Sequence, residues 1–248
     1  MVHTRSNREI EKISKSCQIV ADTLIMLEDY VVDGACVSDL DKMAEEYIIS
    51  KGARPAFKGY MGFPSTLCVS IEDAVVHGIP GKNILKQGQI VGIDCGAELE
   101  GYYGDHARSF AVGEITLEKK KLLNVTKESL LKGIDQAIPG NYVGDIGKAV
   151  QNHAESNGFS VVRELVGHGI GTSLHEEPQI PNYGEAHQGY KLRSGMCIAI
   201  EPMINSGSRE VFTASDGWTI LTKDGQPSAH FEHTIAITEN GPKILSVG

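Results

Sequence analysis

Apolar residues near the start of the chain recur at alternating spacings of three and four, which is the period of an amphipathic helix. Ser6 and Glu9 form a capping-box pattern ahead of this run, and Gly34 is expected to stop it. The apolar positions are Ile10, Ile13, Cys17, Val20, Leu24, Leu27 and Val31. Similar patterns predict helices over about 38–50, with Ser38 as N-cap, over about 116–138 and over about 143–157.

Short apolar runs in the rest of the chain predict β-strands. These runs span residues 67–71, 89–95, 109–112, 161–162, 197–204, 218–222 and 234–238. Between two of them, the stretch from Gly101 to Gly104 is turn-like and would let backbone approach closely. No low-complexity linker and no shift in composition divides the chain. We therefore expect a single catalytic domain, residues 1–248, of the α+β class.

The chain also contains an internal repeat. Residues 34–52 and 140–158 share Gly, Val, Asp, Lys, Ser and Gly at matching positions. Three further matches follow in the same order: a His-Gly-Ile at His77 and His168, an apolar run ending in Asp94 and Glu201, and a carboxylate–His pair at Asp105-His106 and Glu232-His233. This order predicts two copies of one α+β unit, roughly residues 6–112 and 116–240. A site fed by both copies is expected between them.

Charge and composition exclude several classes of protein. The 23 Lys and Arg against 32 Asp and Glu leave a formal net charge of −9, which argues against a general nucleic-acid binder. The one basic run, residues 119–121, is expected to be a solvated helix face. No apolar stretch is long enough for a membrane span, and because residues 1–6 run straight into a charged amphipathic pattern, we expect no secretory signal. With five scattered cysteines and no C-x-x-C, we expect a cytoplasmic protein without a disulfide framework.

Four carboxylates from the repeat suggest a metal site. Asp94 and Glu201 end apolar runs, where a carboxylate is costly unless it is paired, hydrogen-bonded or bound to a metal. Asp105 and Glu232 are the other two. Oxygen-rich donors with one or two imidazoles fit Mn, Fe or Co, and also Zn. Because four carboxylates exceed the needs of one ion, the pattern favours two ions that activate a water, and hence hydrolysis.

The histidines leave alternatives open. His168, in a glycine-lined stretch, suits a ligand, and His175 and His77 could face the same cleft. Each could equally be a hydrogen-bonded structural histidine. His106 and His233 follow proposed ligands and point oppositely along a strand, so we expect them to be structural or to support the ligands.

Several motifs together resemble the type I methionine aminopeptidases. They are Val76-His77-Gly78-Ile79-Pro80, the Asp94 and Asp105 pair, Gly167-His168-Gly169-Ile170-Gly171, His175-Glu176-Glu177-Pro178, Ile200-Glu201-Pro202-Met203 and Glu232-His233-Thr234. The resemblance extends from the first helix to Ile244. It implies the pita-bread fold, in which two pseudo-symmetric α/β halves pack around a central dinuclear metal site.

The resemblance also implies a set of ligands. Asp94 would bind one ion, Asp105 and Glu232 would bridge both ions, and His168 and Glu201 would bind the other. The two divalent ions would be Mn, Fe, Co or Zn.

Further roles follow from the same resemblance. Glu201 would act as general base, His175 would stabilise the tetrahedral intermediate, and His77 would contact the substrate peptide. The pocket for the methionine side chain would be formed by Phe57, Tyr60, Phe63, Cys68 and Trp218.

The implied function is removal of the initiator methionine from nascent chains when the second residue is small. The substrates would be N-terminal Met peptides. The enzyme would be a cytoplasmic monomer with the ribosome as a candidate docking partner and with no membrane or specific nucleic-acid partner. Met61 and Leu174 depart from residues common in the family, as does Glu72 at a proposed monovalent-cation site. The alternatives are another pita-bread peptidase, of the aminopeptidase P or prolidase kind, and a catalytically inactive relative that binds peptide or RNA.

Overall fold

Four α-helices flank the sheets in residues 2–247, the part of the chain that this computed structural model describes. They are α1 (Asn7–Glu28), α2 (Val37–Ser50), α3 (Leu117–Asp135) and α4 (Val143–Ser156). The predicted capping box at the start of α1 is confirmed, because Ser6 N donates to Glu9 Oε2 at 2.9 Å and Glu9 N donates to Ser6 Oγ at 3.4 Å. The N-cap predicted for α2 is wrong. That helix begins at Val37, so Cys36 rather than Ser38 precedes it.

The described residues form fifteen short strands in four sheets. The strands are β1 (Arg54–Pro55), β2 (Leu67–Ile71), β3 (Ala74–Val76), β4 (Ile90–Leu99), β5 (Tyr102–Ala111), β6 (Ser160–Val161), β7 (Gly167–Gly169), β8 (Glu176–Ile180), β9 (Cys197–Ile200), β10 (Met203–Asn205), β11 (Val211–Thr213), β12 (Ile220–Thr222), β13 (Ser228–His230), β14 (His233–Thr238) and β15 (Gly241–Ile244). In the first sheet β4 pairs with β1, β2 and β5. The largest sheet has the order β15-β14-β9-β7-β8, and two three-stranded sheets have the orders β13-β10-β6 and β11-β12-β3.

The β4–β5 hairpin is the longest paired element of the first sheet. The turn predicted over Gly101 to Gly104 is only partly right, because the reversal occurs at Glu100 and Gly101, whose φ angles are 53° and 82°. Gly104 lies inside β5 instead. A Cβ at this position would overlap the backbone of Ser16 and Cys17 in α1, so glycine allows the close approach of helix and strand.

The run predicted as one strand over residues 197–204 is two strands. Glu201 and Pro202 lie between β9 and β10, which belong to different sheets. Proline cannot donate a ladder hydrogen bond, and the chain leaves the β9 sheet at this point. The Glu201 carboxylate therefore projects from a strand end.

The first sheet meets the largest sheet through contacts between β5 and the start of β14. Glu232 N donates to Ala107 O at 2.9 Å, and Thr234 Oγ1 donates to Asp105 O at 2.8 Å. One apolar cluster contains residues from three parts of the chain. Ile13 lies on α1, Ile170 follows β7, and Ala236 lies on β14. Chain segments distant in sequence therefore share one core. The division into two copies, 6–112 and 116–240, stays a prediction.

Within residues 2–247, none of the helices combines the length and apolar character needed to cross a bilayer.

Candidate metal centre and active site

The side chains that the sequence predicts as ligands, catalytic groups or pocket residues all line one cavity of about 180 Å³. The predicted ligands and catalytic groups are His77, Asp94, Asp105, His168, His175, Glu201 and Glu232, and the pocket residues are Phe57, Tyr60, Phe63, Cys68 and Trp218. Met61 and Leu174, at which the sequence departs from the family, line it as well. Residues from strands and loops far apart in the chain thus converge on one space.

Neighbouring strands supply the first two carboxylates. Asp94 lies on β4 opposite Ala107, and Asp105 lies on β5 opposite Gly96. Burial raises the pKa of Asp94 to about 7, although the His230 imidazole partly lowers it. Burial, and then the charge of Asp94, raise the pKa of Asp105 well above its usual range. The fold therefore holds carboxylates where they repel each other.

The other ligand candidates come from β7 and from the ends of β9 and β14. His168 Nε2 lies 3.5 Å from Glu201 Oε1 and 3.9 Å from Asp105 Oδ2. Donor atoms of Asp105, His168 and Glu232 all lie within 4.8 Å of one another. The Nδ1 atom of His168 lies 2.9 Å from Gly169 O. A proton on Nδ1 would leave the Nε2 lone pair facing the carboxylates.

The cluster suits a cation. Asp94 Oδ1, Asp105 Oδ1 and Glu232 Oε1 are buried and have no hydrogen-bond partner among the described residues. Burial, and then the charge of Asp105, raise the pKa of Glu232 well above its usual range. Buried carboxylate oxygens without partners are costly. Bound divalent ions would supply the missing partners and would neutralise the repulsion between the carboxylates. The donor set thus fits hard divalent metals.

Glu201 differs from the other carboxylates. Burial raises its pKa, but the imidazoles of His230 and His168 outweigh that effect, so the pKa falls below its ordinary value. Asn182 Nδ2 donates to Glu201 O at 3.0 Å and holds the backbone after β9. This side chain is therefore ionised at neutral pH and can accept a proton.

His175 and His77 stand at the mouth of the cavity. His175 Nδ1 lies 2.9 Å from Tyr60 Oη, and its ring packs edge-on against His168 with centroids 4.3 Å apart. Desolvation, and then the His168 imidazole, lower the pKa of His175 to about 4, so its neutral form dominates at neutral pH. His77 follows β3 with a φ of 59°, and burial lowers its pKa. The two histidines of the repeat therefore differ in position, because His168 lies within β7 whereas His77 lies just after the end of β3.

Aromatic and sulfur-containing side chains close the far end of the cavity. Phe63 and Trp218 pack edge to face with centroids 5.1 Å apart, and Cys68 is buried opposite Asp94 in the β2–β4 pair. Leu174 is buried in the wall, whereas Met61 is 83% exposed at the rim. The result is an apolar slot that ends at the carboxylate cluster.

The histidines that follow Asp105 and Glu232 lie behind the cluster. The His106 and His233 rings stack with centroids 4.6 Å apart, and His106 Nδ1 bonds Glu232 O. Neither of them lines the cavity. Both fit the supporting position that the sequence predicts.

His230 is a site residue that sequence reasoning missed. It is 3% exposed, and its Nε2 lies 3.6 Å from Glu201 Oε2. Its place two residues before Glu232 is the one sequence signal that pointed to it, although Glu232 itself lies between β13 and β14.

Lys119 contradicts the prediction that the basic run is wholly solvated. Its Nζ donates to Glu72 Oε1 at 2.8 Å and to Gly88 O at 2.7 Å. The carboxylate of Glu72 therefore has a fixed ammonium partner at the position where the sequence departs from the family.

The loop that carries His175 is held by a buried ion pair. Arg5 Nη2 donates to Glu176 Oε1 at 2.6 Å, and the two side chains are 7% and 9% exposed. The same Oε1 accepts from Thr172 N at 2.8 Å and Ser173 N at 3.0 Å. The segment ahead of α1 thus fixes the backbone next to His175.

Replacing Arg5 by Met is expected to lower the free energy of unfolding by about 3–5 kcal/mol, because it leaves the Glu176 carboxylate buried and unpaired. Displacement of the loop should also lower the turnover of any reaction that uses His175 by about tenfold or more. Urea unfolding and steady-state kinetics measure the two effects. Arg8→Met is the matched control, since Arg8 is exposed. Equal losses in both variants would show that the pair is dispensable.

Comparison with known proteins agrees with this geometry. The sequence matches metallopeptidase family M24 over residues 11–239. It is 50% identical to methionine aminopeptidase 1 of Bacillus subtilis over 246 residues, which cover 99% of each chain. The crystal structure of methionine aminopeptidase from Thermotoga maritima superposes with a TM-score of 0.98 at 44% identity and full coverage of both chains. The prolidase of Pyrococcus horikoshii superposes with a TM-score of 0.80 at 25% identity, covering 98% of this chain and 63% of that one. These matches confirm the pita-bread fold, and the chain belongs to metallopeptidase family M24.

Proposed function

We propose that this protein is a methionine aminopeptidase, a metal-dependent hydrolase that removes the initiator methionine when the next residue is small. The observation that carries the proposal is the single cavity in which an apolar slot ends at a buried carboxylate–imidazole cluster. Relatives of full length and high identity with that name support it.

The slot suits a thioether side chain. Phe57, Phe63 and Trp218 offer aromatic surfaces, and a flexible sulfur-containing chain makes favourable contacts with aromatic rings. A charged side chain would lose its hydration there without gaining a partner. The slot therefore selects an unbranched apolar side chain about as long as methionine.

Five side chains would hold the metal. They are Asp94, Asp105, His168, Glu201 and Glu232. We propose two divalent ions, of Mn, Fe, Co or Zn. When bound, such ions polarise a carbonyl and acidify a water at neutral pH.

Glu201 and His175 would assist the attack on the scissile carbonyl. The depressed pKa of Glu201 keeps it ionised, so it can take a proton from the attacking water and pass it towards the leaving amine. The neutral imidazole of His175 can donate a hydrogen bond to the oxygen that becomes negative. Tyr60 orients this imidazole through its contact with Nδ1.

His77 would contact the peptide beside the scissile bond. A second cavity, of about 510 Å³, adjoins the first and shares His77, His168, His175 and Glu201 with it. The rest of the substrate would leave through this space. Because imidazoles converge where the two cavities meet, the second residue of the substrate has to be small.

The purified protein loaded with Mn, Co or Fe is expected to release methionine from Met-Ala-Ser and to spare Met-Lys-Ser. The lysine side chain would have to enter the crowded junction between the cavities, which we expect to lower kcat/KM by at least about 10²-fold. Quantifying free methionine by chromatography measures both reactions. Metal-loaded protein that releases no methionine from Met-Ala-Ser would overturn the proposal.

The second candidate is a peptidase that cleaves next to proline, favoured by the structural match to a prolidase. Release of proline from a Met-Pro dipeptide at a rate above that for Met-Ala-Ser would favour this candidate. The aromatic slot for the first side chain supports the aminopeptidase instead. An inactive peptide- or RNA-binding relative is opposed by the presence of all five predicted ligands in one cavity.

A cytoplasmic monomer that acts on nascent chains is the form that this activity suggests. The monomeric state and docking on the ribosome stay predictions from the resemblance.

A further inference from the structure

His230 is a buried imidazole whose Nε2 lies beside Glu201, at the edge of the candidate metal centre. The residue is 3% exposed, and its Nε2 has no hydrogen-bond partner among the described residues. A buried polar atom without a partner is costly, and in native proteins it indicates a missing water, ion or ligand.

The backbone of His230 is fixed from both sides. Ser109 Oγ donates to His230 O at 2.9 Å and accepts from His230 N at 3.0 Å. On the other side, His230 pairs in the β10–β13 ladder with Met203, which follows Glu201 by two residues. These contacts fix the backbone of His230, and with it the point from which the imidazole extends towards Glu201.

The two oxygens of Glu201 have matching imidazole neighbours. His168 Nε2 lies 3.5 Å from Oε1, and His230 Nε2 lies 3.6 Å from Oε2. The second distance is too long for a good hydrogen bond. Two donor atoms that each lie about 2.0–2.2 Å from one ion are roughly 3–4 Å apart. The two distances from Nε2 to a Glu201 oxygen fall in this range.

We propose that His230 is an additional metal ligand, which binds through Nε2 the ion held by Glu201. The inference rests on the proposed metal centre and goes beyond the ligand set that the sequence predicts. A neutral imidazole adds a donor without adding to the crowded negative charge.

The test is NMR of the full-length protein labelled with ¹⁵N-histidine and loaded with ¹¹³Cd²⁺. A nitrogen bonded to this ion shows a scalar coupling that a merely neighbouring nitrogen lacks. We expect the coupling on the Nε2 resonances of both His168 and His230. The His230 resonance is assigned by its loss in His230→Gln.

Metal affinity gives a second measurement. His230→Gln is expected to weaken Zn²⁺ binding in calorimetry by more than the roughly 100-fold that marks the upper range for residues that only support a ligand, since it removes one donor from the site. His153→Gln is the matched control, because that side chain lies on α4 and contacts Glu128.

The outcomes separate this inference from the proposed function. Coupling on His168 alone, with methionine still released from Met-Ala-Ser, would overturn the role of His230 and leave the function standing. Coupling on neither histidine would overturn the metal centre itself. If His230→Gln does not fold, the wild-type coupling pattern still decides the matter.

Discussion

Replacing Asp105 by Ala is expected to abolish methionine release and metal binding together. Asp105 is 3% exposed, and its carboxylate lies within reach of His168 and Glu232 at the point where the two sheets meet. We expect kcat to fall by about 10³-fold or more, equivalent to at least about 4 kcal/mol of transition-state stabilisation.

Metal analysis of the purified variant and the Met-Ala-Ser assay check this result. Asp145→Asn is a suitable control, because Asp145 is also buried but caps α4 through Tyr142 N at 2.8 Å. It should cost stability and retain activity. An Asp105→Ala protein that keeps two ions per chain and normal turnover would contradict the ligand assignment, whereas lost turnover in the control as well would point to misfolding.

Removing the metal is expected to expose a contribution of the buried carboxylates to stability that is lost as pH rises. Burial raises the pKa of Asp94 from 3.8 to about 7, and burial and carboxylate repulsion raise the pKa of Asp105 and Glu232 well above their ordinary values. At these carboxylates the folded metal-free protein therefore binds protons more tightly than the unfolded chain does. Their contribution to stability should be fully present below their unfolded pKa of about 4, and that of Asp94 should be lost as pH rises through about 7.

Bound metal should reverse this trend. An ion present at 100 times its Kd adds about 2.7 kcal/mol to the free energy of unfolding, and its binding requires deprotonated carboxylates. Urea unfolding in EDTA and in excess Mn²⁺, at about pH 5 and about pH 7.5, measures both slopes. Asp105→Asn should flatten the slope in EDTA. An Asp105→Asn protein with the same slope in EDTA as the unaltered protein would refute the proposed repulsion.

Local patterns in the chain predicted the four helices, but only the last residues of the ten-residue strand β5. The period of apolar residues and the Ser6–Glu9 capping box placed α1, and the apolar run at residues 67–71 matched β2. Strands of two or three residues, such as β1 and β6, are too short to show a period, and β1 was missed. Lys119 looked solvated because its partner, Glu72, is distant in sequence.

The sequence by itself identified the candidate ligands, since Asp94, Asp105, His168, Glu201 and Glu232 stand out by residue type and by their place in the repeat. Tertiary structure alone decided the distances between them, their pKa values and the position of His230 beside Glu201. The physical reason is that these properties depend on contacts between β5 and the start of β14, and between β10 and β13, which join residues far apart in the chain. A local pattern can place a carboxylate at the end of a strand. Only the packed sheets bring a second carboxylate and an imidazole close enough to form a site with it.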